Sequence, residues 1–128
     1  MVANPPRILI ADDEPQLLRV LVRVLEDQGY AVISALDGKA AVEAMRGAPE
    51  AIDVIVIDAA IGPEGAGPVL EMLAAEWPQV GVIVTSGDQL PSSLRSQLLA
   101  SNGTFLLKPF LPNALVAAVE DSLVEGSG

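Results

Sequence analysis

RILIADDEP, residues 7–15, decides the fold. Ile8, Leu9, Ile10 and Ala11 form an unbroken apolar run, too short for a helix and without the alternation of a half-wet strand. Such a run fits a strand covered on both faces, as in a parallel sheet. It stops at three acids, Asp12, Asp13 and Glu14, followed by Pro15. Proline suits the first position of a helix, and acids just before it favour the positive helix end. Residues 15–27 then carry Leu17, Leu18, Leu21, Val22 and Leu25 at spacings of three and four, and Gly29 suits a helix stop. The stretch therefore reads as strand, sharp turn and helix, with like charges clustered at the mouth of the core.

The same unit repeats along the chain. Apolar runs of strand length lie at 30–34, 53–57, 81–85 and 104–107, and helical segments at about 38–46, 68–76, 91–100 and 111–124. DVIVID (53–58) and VGVIVTS (80–86) are rich in β-branched residues and suit central strands. Asp37 with Gly38 reads as a turn and helix start. Five β/α units in sequence predict an α/β fold with a parallel sheet and right-handed crossovers. The expectation is a single domain over 1–128, with a core of about 7–124 and EGSG, 125–128, as a flexible tail.

Composition narrows the function. Hydrophobic residues are 51% of the 128 but aromatics only 3%, so the core must be aliphatic, with Tyr30 and Trp77 as packing residues. Seven Lys and Arg against 17 Asp and Glu leave a charge of −10. That disfavours nucleic acid and anionic membranes as partners, and suits either a divalent cation or simply a solvated surface. The chain has no cysteine and no histidine, which removes disulfides and imidazole chemistry. No apolar run reaches bilayer length and MVANPPR lacks the regions of a signal peptide, so the expected location is cytoplasmic.

Sites in open parallel sheets form at the carboxyl ends of the strands. Asp12 and Asp13 end the first strand, Asp58 the third, Thr85 and Ser86 the fourth, and Lys108 the fifth, before Pro109. Carboxylates sharing one crevice repel, and one would be expected to titrate high. A hard cation relieves this, and Mg²⁺ is commonly held by one or two carboxylates together with a phosphate. Blander readings exist for each residue taken alone. The acids of 12–14 suit a helix start, Thr85 or Ser86 a helix N-cap, Asp58 a solvated strand end and Lys108 an ordinary surface position.

ADDE (11–14), Asp58 after VIVI (54–57), TSG (85–87) and KPF (108–110), in this order, make the chain resemble the receiver domain of bacterial two-component response regulators over about residues 7–124. The resemblance implies a flavodoxin-like, doubly wound (βα)5 fold with strand order 2-1-3-4-5. It implies that Asp58 accepts a phosphoryl group from a histidine kinase or phosphotransfer protein. Asp13 would be the main Mg²⁺ ligand, joined by Asp58 and the Ala60 carbonyl, with Asp12 acting through water. Thr85 would bind the phosphoryl oxygen and Lys108 would pair with it. Thr85 and Phe105 would form the switch, which shifts the face of helix four, strand five and helix five toward a downstream protein or a weak homodimer; plain core packing is the other reading of Phe105. Val20 and Val24 on the first helix suggest a kinase-docking surface or, alternatively, deeper burial.

Such a domain is a phosphoacceptor that assists its own phosphorylation and dephosphorylation rather than an enzyme on other substrates. Ala60 and Gly87 offer no side chain to orient water, so slow loss of the phosphoryl group is expected. A phosphohydrolase with Asp58 as nucleophile would need a second acid at position 60. A non-phosphorylated pseudo-receiver serving as a binding module, and the receiver portion of a hybrid histidine kinase, are the remaining alternatives. The chain departs from the family after the acceptor. DAAIGPEGAG (58–67) stands where the family resembles D-x-x-M-P-x-x-x-G, with Ile61 for the Met and Gly62 for the Pro.

Overall fold

The computed structural model describes residues 4–48 and 51–127; the first three residues of MVANPPR and Gly128 of the expected tail lie outside them. Five strands, β1 (Arg7–Ala11), β2 (Ala31–Ala35), β3 (Val54–Asp58), β4 (Gly81–Ser86) and β5 (Thr104–Leu107), alternate with α1 (Pro15–Asp27), α2 (Gly38–Gly47), α3 (Gly67–Glu76), α4 (Ser92–Ala100) and α5 (Pro112–Ser127). All pair in parallel, in the order β2-β1-β3-β4-β5. The expected elements are therefore present in the expected order. α5 extends to Ser127 and so includes residues 125–127.

Alternation along the strands divides the core in two. Leu9, Ala11, Ile55, Ile57, Val82 and Val84 pack with residues of α2, α3 and α4. Ile8, Ile10, Val54, Val56 and Ile83 pack with Leu18, Leu21 and Leu25 of α1 and Leu115, Ala118 and Val119 of α5. A strand covered on both faces cannot alternate polar with apolar, which is why the sequence of β1, β3 and β4 reads as unbroken apolar runs. The fully buried side chains are aliphatic, and Trp77 and Tyr30 pack at the margins of the two clusters. β5 is an edge strand with three of its four residues exposed.

Local chemistry sets the element ends. Pro15 opens α1, and Gly29, at φ +93°, takes the left-handed backbone that ends it. Asp37 caps α2 by accepting a hydrogen bond from the Ala40 N–H at 2.7 Å. At the opposite end of the sheet from the acids, the Asp53 carboxylate accepts from the Arg7 N–H at 2.8 Å.

Candidate functional site

The parallel ladder brings the strand ends level. Asp58 pairs with Thr85 across β3 and β4, and Ala11 with Ile57 across β1 and β3. Asp12 and Asp13 follow Ala11 directly, so the two acidic strand ends converge. One carboxylate oxygen from each of Asp12, Asp13 and Asp58 lies within 4.8 Å of the others. Asp12 and Asp58 are buried, whereas Asp13 is exposed.

Lys108 reaches the cluster from the end of β5. Its Nζ lies 3.0 Å from Asp12 Oδ2, 3.7 Å from Asp58 Oδ2 and 3.7 Å from Glu14 Oε1. The Lys108 N–H donates to the Ser86 carbonyl at 2.8 Å, and the Lys108–Pro109 peptide is cis. The reading of Lys108 as an ordinary surface residue is thus overturned: it spans two carboxylates. Main-chain donors hold the acids as well. Asp12 Oδ1 accepts from the Glu14 N–H at 2.9 Å, Asp58 Oδ1 from the Ala60 N–H at 3.4 Å, and Asp13 Oδ2 from the Gly62 N–H at 3.1 Å.

The electrostatics follow from crowding and burial. Burial pushes the Asp58 carboxyl above its ordinary value, and the charges of Asp12 and Asp13 add to the rise; Lys108 and the Ala60 N–H oppose it. Burial alone would pull Lys108 down. Its hydrogen bond and charge interaction with Asp12, with Asp58 and Glu14 behind, outweigh burial and hold it above the ordinary lysine value. An all-oxygen set of three acids facing one lysine suits a hard divalent cation, so the donor chemistry fits Mg²⁺.

Thr85 is buried beside Asp58 and is not a helix cap, because α4 begins only at Ser92. Ser86 uses its hydroxyl to accept from the Asp88 N–H at 3.1 Å, a local turn contact. Ala60, two residues past Asp58, is exposed. Phe105 is 38% exposed and lines a shallow groove with Leu90, Arg95, Leu98 and Leu99, so it is not core packing. Val20, 56% exposed, is likewise outside the core. Together with Leu17, Val24 and Phe110 it borders an apolar groove of about 450 Å³ whose lining includes Lys108.

The loop between β3 and α3 has its own geometry. Ile61 is fully buried and anchors it to the larger core cluster. The Gly65 N–H donates to the Ile61 carbonyl at 2.7 Å and the Ala66 N–H to the Ala59 carbonyl at 3.0 Å. Gly65 sits at φ +76°, and a Cβ there would lie 3.1 Å from the Ala59 carbonyl oxygen, so glycine is needed at that point. Two participants escaped the sequence reading. Glu14 is near Lys108 as well as at the helix start, and Gly62 touches Asp13 through its main chain, for which no side-chain signal exists.

Comparisons with known proteins agree with this geometry. The sequence profile of the response regulator receiver domain matches residues 8–120. Response regulator GtcR of Aneurinibacillus migulanus is 32% identical over 116 residues, covering 91% of this chain and 47% of that protein. Transcriptional regulatory protein PrrA of Mycobacterium leprae is 34% identical over 118 residues, covering 91% and 49% respectively. The chain thus spans about half the length of these two relatives and about a quarter of others, such as AlgB of Pseudomonas syringae. Among solved structures, a CheY-like receiver domain protein from Methanospirillum hungatei JF-1 superposes with a TM-score of 0.87, at 22% identity and 96% and 97% coverage, a likeness of fold. The Francisella response regulator 1452 receiver domain gives 0.79 at 26% identity, covering 94% and 98%. Five parallel strands in this order, an acidic rim with a lysine across it and a profile match over nearly the whole length converge on one conclusion: the chain belongs to the response regulator receiver domain family.

Proposed function

We propose that this receiver domain accepts a phosphoryl group on Asp58 from a phosphohistidine of a histidine kinase or phosphotransfer protein, with Mg²⁺ bound by Asp13, Asp58 and the Ala60 carbonyl. One observation carries the reading: Asp12, Asp13 and Asp58 converge within 4.8 Å, and Lys108 Nζ stands 3.0 Å from Asp12 and 3.7 Å from Asp58. When bound, Mg²⁺ neutralises charge on the transferring phosphoryl oxygens. The residues of the chain do the rest. An Asp58 carboxylate oxygen forms the new bond to phosphorus as the bond from phosphorus to the donor imidazole nitrogen breaks, and the nitrogen keeps the electron pair. Lys108 supplies fixed positive charge beside the same oxygens, and Thr85 offers a hydroxyl donor from the adjacent strand.

The groove between Val20 and Lys108 suits the helices of the phosphodonor, because it is apolar and its lining includes Lys108, which stands 3.7 Å from Asp58. The exposed Leu99, Phe105, Leu107 and Leu111 suit a downstream protein or a second copy on the α4-β5-α5 face. Among the described residues no helix is long and apolar enough to cross a membrane. The domain assists its own phosphorylation and dephosphorylation and turns over no other substrate.

Incubation with Mg²⁺ and acetyl phosphate, read by intact mass, tests the assignment. The wild type is expected to gain one phosphoryl mass and Asp58→Ala to gain none. A wild type that binds Mg²⁺ but gains no mass would overturn the acceptor reading in favour of a binding module. The phosphoryl group, once formed, is expected to persist for minutes or longer. Ala60 carries only a methyl group and nothing lies within 4 Å of a Cβ built at Gly87, so no side chain there holds a water in line. A half-life of seconds in the presence of Mg²⁺ would refute this.

A further inference from the structure

We propose that the main-chain N–H of Gly62 positions Asp13 for the divalent cation, and thereby couples the loop of residues 58–67 to occupancy of the site; this rests on the metal reading of the cluster given above. Each of the three carboxylates has its own holder. Asp12 is gripped by the Glu14 N–H and Lys108, and Asp58 lies beside the Ala60 N–H and Lys108. Asp13 is the exposed member of the three, and it is Gly62 that donates to its Oδ2, at 3.1 Å across 49 residues of sequence.

An exposed carboxylate must be immobilised before it can serve as a ligand, and a donor already in place removes part of that entropy loss. The bond is charge-assisted, and a carboxylate that gives one oxygen to an N–H retains the other for a cation. The donor exists because residue 62 is not a proline; Pro63 comes one position later and has no N–H. The loop on either side of Gly62 is tied down, by Ile61 in the core before it and by the hydrogen bonds of Gly65 and Ala66 after it, which lead into α3 at Gly67. Gly62 therefore joins a fixed anchor to the exposed ligand. By linkage, whatever factor the ordered loop adds to cation affinity, the cation returns to the ordering of the loop.

Alanine at position 62 separates the N–H from the glycine itself. Left-handed glycine backbone among the described residues is confined to Gly29 and Gly65, and a Cβ at Gly62 would sit 3.5 Å from Asp13 Oδ2, an ordinary contact. Calorimetric titration with Mg²⁺ is expected to give Gly62→Pro an affinity about tenfold below wild type, as for one lost hydrogen bond to a charged group. Gly62→Ala, which keeps the donor, should stay within about twofold. In the wild type, hydrogen exchange at the Gly62 amide is expected to slow on adding Mg²⁺ by about the factor lost in the proline variant. Should Gly62→Pro fail to show a cooperative melt, a semisynthetic ester at position 62, with oxygen in place of the N–H, makes the same comparison. A variant lacking the donor that binds Mg²⁺ like wild type overturns this inference and leaves the metal site intact. A wild type that takes up no Mg²⁺ overturns both.

Discussion

Lys108→Ala is expected to lower the ion-free stability of the domain by about 2–4 kcal/mol and to slow phosphorylation by acetyl phosphate about 10²–10³-fold. Asp12 is only 2% exposed and has Lys108 Nζ at 3.0 Å. Removing the lysine leaves a buried carboxylate without its cation, in a crevice that also holds Asp13 and Asp58. Breaking a buried pair from one side typically costs about 3–5 kcal/mol, and the partial exposure of Lys108 moves the expectation toward the lower end. Saturating Mg²⁺ should restore part of the loss, since it puts positive charge back among the same carboxylates. Urea unfolding with and without Mg²⁺ measures both numbers. A loss under about 0.5 kcal/mol in the absence of the ion would mean that Lys108 behaves as an exposed ion-pair partner and not as the counter-charge of the site. Lys108→Arg should not rescue the rate fully, because a planar fork replaces a compact ammonium between two acids.

Asp58→Asn should do the opposite to stability while abolishing the acceptor. Burial, reinforced by Asp12 and Asp13, holds the Asp58 pKa above 3.8, its ordinary value. A carboxyl whose pKa is raised on folding favours the folded state when protonated. That contribution is complete below the unfolded pKa and disappears as pH climbs through the folded pKa. The ion-free wild type therefore loses stability over that acidic window, and at neutral pH it carries the full penalty of a buried charge. Asparagine carries no such charge, so the variant is expected to be the more stable of the two at neutral pH, with the difference vanishing on acidification. Mg²⁺ should reverse the order. Ligand at about a hundredfold over its dissociation constant stabilises the wild type by about 2.7 kcal/mol, and the variant, missing one ligand charge, gains less. Thermal melts from about pH 4 to about pH 8, with and without Mg²⁺, test the sign. An asparagine variant less stable than wild type in ion-free neutral buffer would show that the Lys108 contact outweighs burial and crowding at Asp58.

Both expectations depend on features that were legible in the chain to different degrees. The sequence alone determined the order and kind of the elements, from β1 at Arg7–Ala11 to α5, because apolar period, Pro15, Gly29 and Asp37 act within a few residues of themselves. It also determined which side chains share a rim, since every strand of a parallel sheet ends on the same side; Asp12, Asp58 and Lys108 needed no more than that to meet. Tertiary structure decided the rest. Whether Phe105 and Val20 face solvent depends on what the neighbouring elements cover, and both turned out exposed. How residues 58–67 run was undecidable from residue types, because Gly62 grips Asp13 through a main-chain N–H that every residue but proline possesses. A side chain announces its chemistry wherever it stands in a sequence, but a backbone donor acquires a role only when folding sets a particular acceptor 3.1 Å away.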